Sequence, residues 1–297
     1  MLSPFYQSIR EIEAILADPR LSRYVVGPIE EITKEDAGWN VEGAEGVAHV
    51  RVCYGRPSHP GPVPFELQFE DPMIEVRNSS ERGATENEWL QSYHTFSFGD
   101  YYDPNYTGFG PLRVLNEDVV APGKGFEPHP HQNMEILTYV LSGQLQHEDS
   151  LGQKTVLKAG DFQLLSAGTG VLHSEVNPSE EEKVHFLQIW VAPEKKGGEP
   201  FYQQLSMPKK MRKNKLVTIV SPDGPLKIGQ NVVIQACFLG RSRPILIDVK
   251  KGWIQVTSGE ITLGDRVLKA GDGASLFDEQ TEVRSKHVRS EFLLFIL

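Results

Sequence analysis

At 297 residues, with 39% hydrophobic and 24% charged residues, the chain has the composition of a soluble globular protein large enough for two domains, which excludes disorder as its default state. A net charge of -10 and a pI near 5.4 exclude general electrostatic attraction to nucleic acid or to an anionic membrane. Cys53 and Cys237 lie too far apart for a disulfide framework or a thiolate zinc site, residues 1–20 lack an export signal, and no run approaches ~18 apolar residues, so a reducing cytoplasm is the expected setting.

From the amino terminus, residues 3–18 are expected to be helical: Phe5, Ile9, Ile12 and Leu16 recur at helical spacing, Ser3-Pro4 supplies a cap and Asp18-Pro19 a stop. From 38 to 72, glycines and the cluster Pro57, Pro60, Pro62 and Pro64 break every period, so the segment reads as a linker or loosely packed arm without chemistry. Met73 is a candidate natural start, which makes residues 1–72 either sequence foreign to the natural protein or an appended arm of unknown role.

Strand patterns dominate thereafter. Residues 73–77 and 94–98 alternate with period two, and 112–115, 134–141, 144–147, 155–157, 162–165 and 184–191 follow, punctuated by Gly143, Gly160-Asp161 and Gly168-Thr169-Gly170. Short strands at this spacing indicate a sandwich or barrel. The basic run Lys209, Lys210, Arg212, Lys213 and Lys215 reads as a solvated linker or strand edge rather than a nucleic-acid site. A second β-rich unit places strands at 216–220, 232–239, 245–249, 253–257, 260–263, 274–277 and 291–296. Leu157-Lys158-Ala159-Gly160-Asp161 is echoed by Leu268-Lys269-Ala270-Gly271-Asp272, and Leu141-Ser142-Gly143-Gln144-Leu145 by Thr257-Ser258-Gly259-Glu260-Ile261. Such an internal repeat implies two related barrels, at 73–204 and 205–297.

Two doublets carry the chemistry: His129-Pro130-His131 and His173-Ser174-Glu175. On a strand, residues i and i+2 project from one face, so each doublet can point both of its side chains into a single interior. Three imidazoles and one carboxylate suit iron, nickel, copper, cobalt or zinc better than magnesium or calcium. The second copy has no such doublet, and its one histidine, His287, stands among charged residues; it is expected to be metal-free, with a structural or interface role.

With these residues in view the chain resembles a pirin, a two-barrel member of the cupin superfamily, over about residues 73–297. The resemblance runs through His94-Thr95-Phe96-Ser97-Phe98, Tyr101-Tyr102-Asp103-Pro104, Gly108-Phe109-Gly110-Pro111-Leu112-Arg113-Val114, both doublets with Met134-Glu135, Ser166-Ala167-Gly168-Thr169-Gly170 and His185-Phe186-Leu187-Gln188-Ile189-Trp190. It departs at Ala84, where many pirins carry histidine after Arg-Gly, and in residues 1–72.

The resemblance implies an all-β fold of two tandem jelly-roll-like cupin barrels, here preceded by an extension with one short helix. It implies one divalent metal, commonly iron, held by His129, His131, His173 and Glu175, with nickel, cobalt, copper, manganese or zinc fitting the same donors. It also implies quercetin 2,3-dioxygenase activity, with Glu175 taking the flavonol proton, dioxygen inserted and carbon monoxide released. Glu135 is assigned a supporting role. Phe126, Met134, Phe162 and Leu172 are candidates to line a flat substrate's pocket, core packing being the competing assignment. The expected partners are a flavonol-like substrate and dioxygen, without nucleic acid or membrane. The alternative function is a non-catalytic, metal-dependent regulator that binds a protein; a purely structural metal site fits less well, because closed zinc centres favour thiolates.

Overall fold

The computed structural model describes residues 4–18, 26–34, 38–45, 47–54, 65–70, 74–240, 244–286 and 289–297, in two compact units, 1–72 and 73–297. In the first unit, helix α1 (Pro4–Ala17) precedes β1 (Val26–Lys34), β2 (Gly38–Glu45), β3 (Val47–Tyr54) and β4 (Phe65–Glu70), which form an antiparallel sheet in chain order. The expected helix is present, whereas the reading of 38–72 as a linker is corrected by β2, β3 and β4. Trp39 and Val41 alternate inward to be buried with Ile15 of α1, and the Trp39 indole donates to Glu11 Oε2 at 2.9 Å. Gly38 and Gly43 hide that alternation in the sequence. The four prolines of the cluster fall outside the described residues.

The second unit opens with β5 (Ile74–Arg77), then β6 (Gly83–Glu86), β7 (Leu90–His94), β8 (Leu112–Val120), β9 (Gly125–His131), β10 (Glu135–Ser142), β11 (Gln144–Asp149) and β12 (Lys154–Lys158). It continues through β13 (Asp161–Ser166), β14 (Val171–Val176), β15 (Val184–Val191) and β16 (Phe201–Ser206). Seven of these make one sheet, in the order β16-β13-β10-β15-β8-β7-β6, and four face it, in the order β12-β11-β14-β9. This is the first jelly roll. The strand expected across 94–98 stops at His94, because the Ser97 hydroxyl takes the amide of Asp103 and bonds its carbonyl, drawing the chain into a turn instead of a ladder.

The second jelly roll comprises β17 (Val217–Ser221), β18 (Leu226–Lys227), β19 (Val233–Leu239), β20 (Ile245–Ser258), β21 (Glu260–Leu263), β22 (Arg266–Lys269), β23 (Gly273–Ser285) and β24 (Ser290–Ile296). The two strands expected at 245–249 and 253–257 are one: β20 passes through Lys250-Lys251-Gly252 and pairs with β23 on both sides of them. β5 also joins this roll, pairing with β23. The repeat read from the sequence has a physical counterpart in its turns. Gly160 and Gly271 adopt φ of 94° and 88°, and their amides donate to Val140 and Val256 carbonyls, each at 2.9 Å. The following Asp161 and Asp272 accept the amides of Lys158 and Lys269 at 2.8 and 2.7 Å.

One apolar core joins the rolls. Leu137, Tyr139, Phe162, Leu164, Leu187 and Ile189 of the first pack with Ile219, Ile234, Trp253, Leu293 and Phe295 of the second. Arg212, expected on a solvated basic run, is instead fully buried there, bonded to Glu291 and to the Tyr139 hydroxyl, while Lys209 reaches Glu291 at 2.9 Å. A guanidinium can enter a core only with such partners. Among the described residues no helix is long and apolar enough to cross a membrane.

Candidate metal centre

Strict alternation sorts the first roll's side chains into layers. On β10, Leu137 and Tyr139 face the second roll, whereas Ile136, Thr138 and Val140 face inward; β13 turns Gln163 and Leu165 inward, and β15 turns Phe186, Gln188 and Trp190 inward. Register then aligns like with like, since Thr138 pairs with both Gln163 and Gln188. A polar row therefore crosses three neighbouring strands. Below it lies an apolar floor of Val120, Val140, Leu145, Leu157, Val184 and Phe186, and above it a second apolar group, Ile136, Leu165 and Val171 with Met134, Trp190 and Tyr202.

The facing sheet brings the doublets to the same level. His173 pairs with His129 and Glu175 with His147, so β9, β11 and β14 each contribute. Gly125 permits the close approach of β9 to β14: a Cβ there would stand 2.3 Å from the Glu175 carbonyl oxygen and 2.5 Å from Val176 Cα. The His173 ring centroid lies 4.5 Å from that of His129, 4.9 Å from His131 and 5.4 Å from His147. His129 Nδ1–H donates to the Glu127 carbonyl at 2.8 Å, which leaves Nε2 as its lone-pair atom.

Glu175 is 1% exposed and held on both oxygens: Oε1 accepts from Gln163 Nε2 at 2.6 Å and Thr138 Oγ1 at 3.2 Å, and Oε2 accepts from Gln188 Nε2 at 2.6 Å. The Tyr202 hydroxyl donates to Gln163 Oε1 at 3.1 Å, and its ring stacks on His147.

Burial dominates the electrostatics. Desolvation, reinforced by His129 and His147, pushes the His173 pKa down to about 3; desolvation, reinforced by His173 and His129, pushes His131 down to about 4. Desolvation also raises the Asp118 carboxyl to about 7, with Glu175 and Glu117 adding to the rise and a bond from Ser92 opposing it.

A divalent metal fits these residues. Both ring nitrogens of His173 and Nδ1 of His147 are buried without a hydrogen-bond partner, a costly state that metal ligation relieves. The potential ligand atoms fall into two groups that share His173, each with all atoms within 4.8 Å of one another: His129, His131 and His173, and His147, His173 and Glu175. Of the four residues expected from the sequence, His129, His131 and His173 gather in one group, whereas Glu175 gathers with His173 and His147 in the other. Glu135 belongs to neither group; it accepts the Ser166 hydroxyl and the Gly229 amide.

Of the expected pocket residues, Phe162 is fully buried against Tyr139 with ring centroids 4.1 Å apart, which assigns it to the core. Phe126 packs edge-on to Trp89, Met134 joins the upper apolar group, and Leu172 is exposed on an open groove of about 540 Å³ that His131, Gln132, Ser150 and Thr169 also line. His287 lies outside the described residues. Sequence reasoning passed over His147, Thr138, Gln163 and Gln188. No spacing within one strand marks them; only the register of neighbouring strands brings them together.

The family model described as Pirin matches residues 75–191, and the one described as Quercetinase C-terminal cupin domain matches 218–297. The chain is 42% identical over 228 residues to a quercetin 2,3-dioxygenase of Escherichia coli K12, covering 76% of this chain and 99% of that protein. Among solved structures it is similar to the bacterial pirin YhhW of Escherichia coli in complex with nickel(II), with a TM-score of 0.71, 42% identity and coverage of 75% of this chain and 98% of the other. It is also similar to GK1651 of Geobacillus kaustophilus, with a TM-score of 0.61, 25% identity and coverage of 74% and 94%.

Proposed function

The chain belongs to the pirin family, and on that footing we propose that it is a quercetin 2,3-dioxygenase-type enzyme whose divalent metal is held by His129, His131, His173 and Glu175. The observation that carries this reading is His173: a buried imidazole with neither nitrogen bonded, close to the two imidazoles of the paired strand β9 and to the carboxylate of Glu175 on its own strand. Iron is the ion proposed, and the nickel of the similar Escherichia coli pirin suits the same donors. When bound, the metal supplies Lewis-acid activation of the substrate hydroxyl and the redox chemistry of dioxygen.

The protein's own residues do the rest. Glu175 Oε accepts the proton of the flavonol or similar enol, and the Gln163 and Gln188 amides fix the carboxylate for that transfer. The open groove lined by His131 is the approach assigned to a flat substrate, and Trp190 packs edge-on against the His131 ring within the apolar group that includes Val171.

Iron- and nickel-loaded protein is expected to consume quercetin in air and release carbon monoxide. Glu175→Gln is expected to lower turnover about 10²–10⁴-fold. Intact metal content with no quercetin consumption by any loaded form contradicts the dioxygenase reading and leaves the metal-dependent regulator in its place.

A further inference from the structure

His147 has no part in the four-ligand set, yet the fold treats it as a ligand. It is 0% exposed, and it pairs in register with Glu175. Its Nε2–H donates to Asp149 Oδ2 at 2.9 Å, and Asp149 is itself fixed, with Oδ1 accepting the amides of Leu151 and Gln153 at 2.9 and 3.1 Å. A carboxylate behind one ring nitrogen sets the tautomer and leaves the other nitrogen as a lone-pair donor. That nitrogen, Nδ1, is buried and unpartnered, and the ring is clamped from one face by Tyr202. Beside His147 stand His173, whose two ring nitrogens are both unpartnered, and Glu175, whose Oε2 accepts one amide bond and keeps a second lone pair.

We propose that His147, His173 and Glu175 form a second, inner cation seat, sharing His173 and Glu175 with the mouth seat completed by His129 and His131. Two imidazoles and one carboxylate are a donor set for borderline divalent ions such as Co²⁺ or Zn²⁺. A neutral imidazole has a single lone-pair nitrogen, so His173 serves one seat at a time according to its tautomer, and the inner seat fills when the mouth ligands are lost. The inner seat rests on the reading that the mouth site binds metal, and it adds a binding capacity that survives loss of the mouth ligands.

The test is Co²⁺ binding by the full-length protein, followed by equilibrium dialysis and by the ligand-field absorption of bound Co²⁺. The double variant His129→Ala/His131→Ala removes two half-buried mouth ligands and is expected to keep about one ion per chain, with a spectrum distinct from wild type. Adding His147→Gln, which retains a side-chain donor for Asp149, is expected to abolish that ion. Thermal unfolding of each metal-free variant verifies folding, and a Co²⁺-dependent rise in midpoint in the double variant but not the triple gives a second readout. A double variant that folds but binds nothing, or a triple variant that binds as well as the double, overturns the inner seat while leaving the mouth site intact. A double variant indistinguishable from wild type in content and spectrum overturns the mouth site and leaves the inner seat standing.

Discussion

His173 and His131 are free bases across the physiological range, because desolvation and the neighbouring imidazoles hold them down to about 3 and about 4. Metal binding at these rings therefore displaces no proton at neutral pH, and protons compete only in strong acid. The sign follows: for a base with a depressed folded-state pKa, the neutral, ligating form is complete above the ordinary imidazole range and is lost only as pH falls towards the depressed value. Bound metal is expected to stay constant from about pH 8 to about pH 5 when measured per chain after dialysis at each pH. Release centred near the ordinary imidazole pKa of about 6.5 contradicts it. At this scale the doublets were legible because His129, His131, His173 and Glu175 stand two apart in pairs, a spacing that means one face only if the segment is a strand. Thr138, Gln163, Gln188 and His147 were not legible, because each is one among several polar residues spread over four strands and only register across strands gathers them.

Pairing between β9 and β14 sets the spacing of the imidazoles, and Gly125 sets that pairing. His173 faces His129, the register then slips by a bulge, and Glu175 faces Phe126 beside the bare Cα of Gly125. Gly125→Ala puts a methyl against the backbone of Glu175 and Val176, so the strands part where the ligands sit. It is expected to cost about 1–3 kcal/mol in denaturant unfolding and to weaken metal binding more than a distant substitution of equal cost. Unchanged affinity in a folded Gly125→Ala protein removes the strand pair from the account. Elements were most legible where a β-rich apolar run was bounded by polar residues, as at 184–191, which β15 matches residue for residue. They were least legible where glycine interrupts a strand without ending it. Gly252 does so in β20, and Gly43 does so in β2, because the ladder of a neighbour carries the chain across a residue with no side chain to pack.

Over the whole molecule the two rolls divide the work. The inner face of the first is interrupted by a polar level; the second is filled by Cys237, Leu239, Ile247, Val249, Ile254, Val256, Ile261 and Leu263. Their kinship was legible in the echoed Gly-Asp turns, which have the same hydrogen bonds in both copies. Their shared core was not, since Ile136 to Val140 is a run buried on both faces, and such a run looks the same whether its outer face meets a helix, a sheet or another barrel. The central claim is therefore one of place: the metal belongs to the first roll, between β9 and β14. Anomalous diffraction from crystals of the nickel-loaded protein measures that place directly. The strongest anomalous peak is expected about 2.0–2.2 Å from ring nitrogens of His129, His131 and His173 and an oxygen of Glu175. A strongest peak in the second roll or on the surface, with none among these side chains, contradicts it.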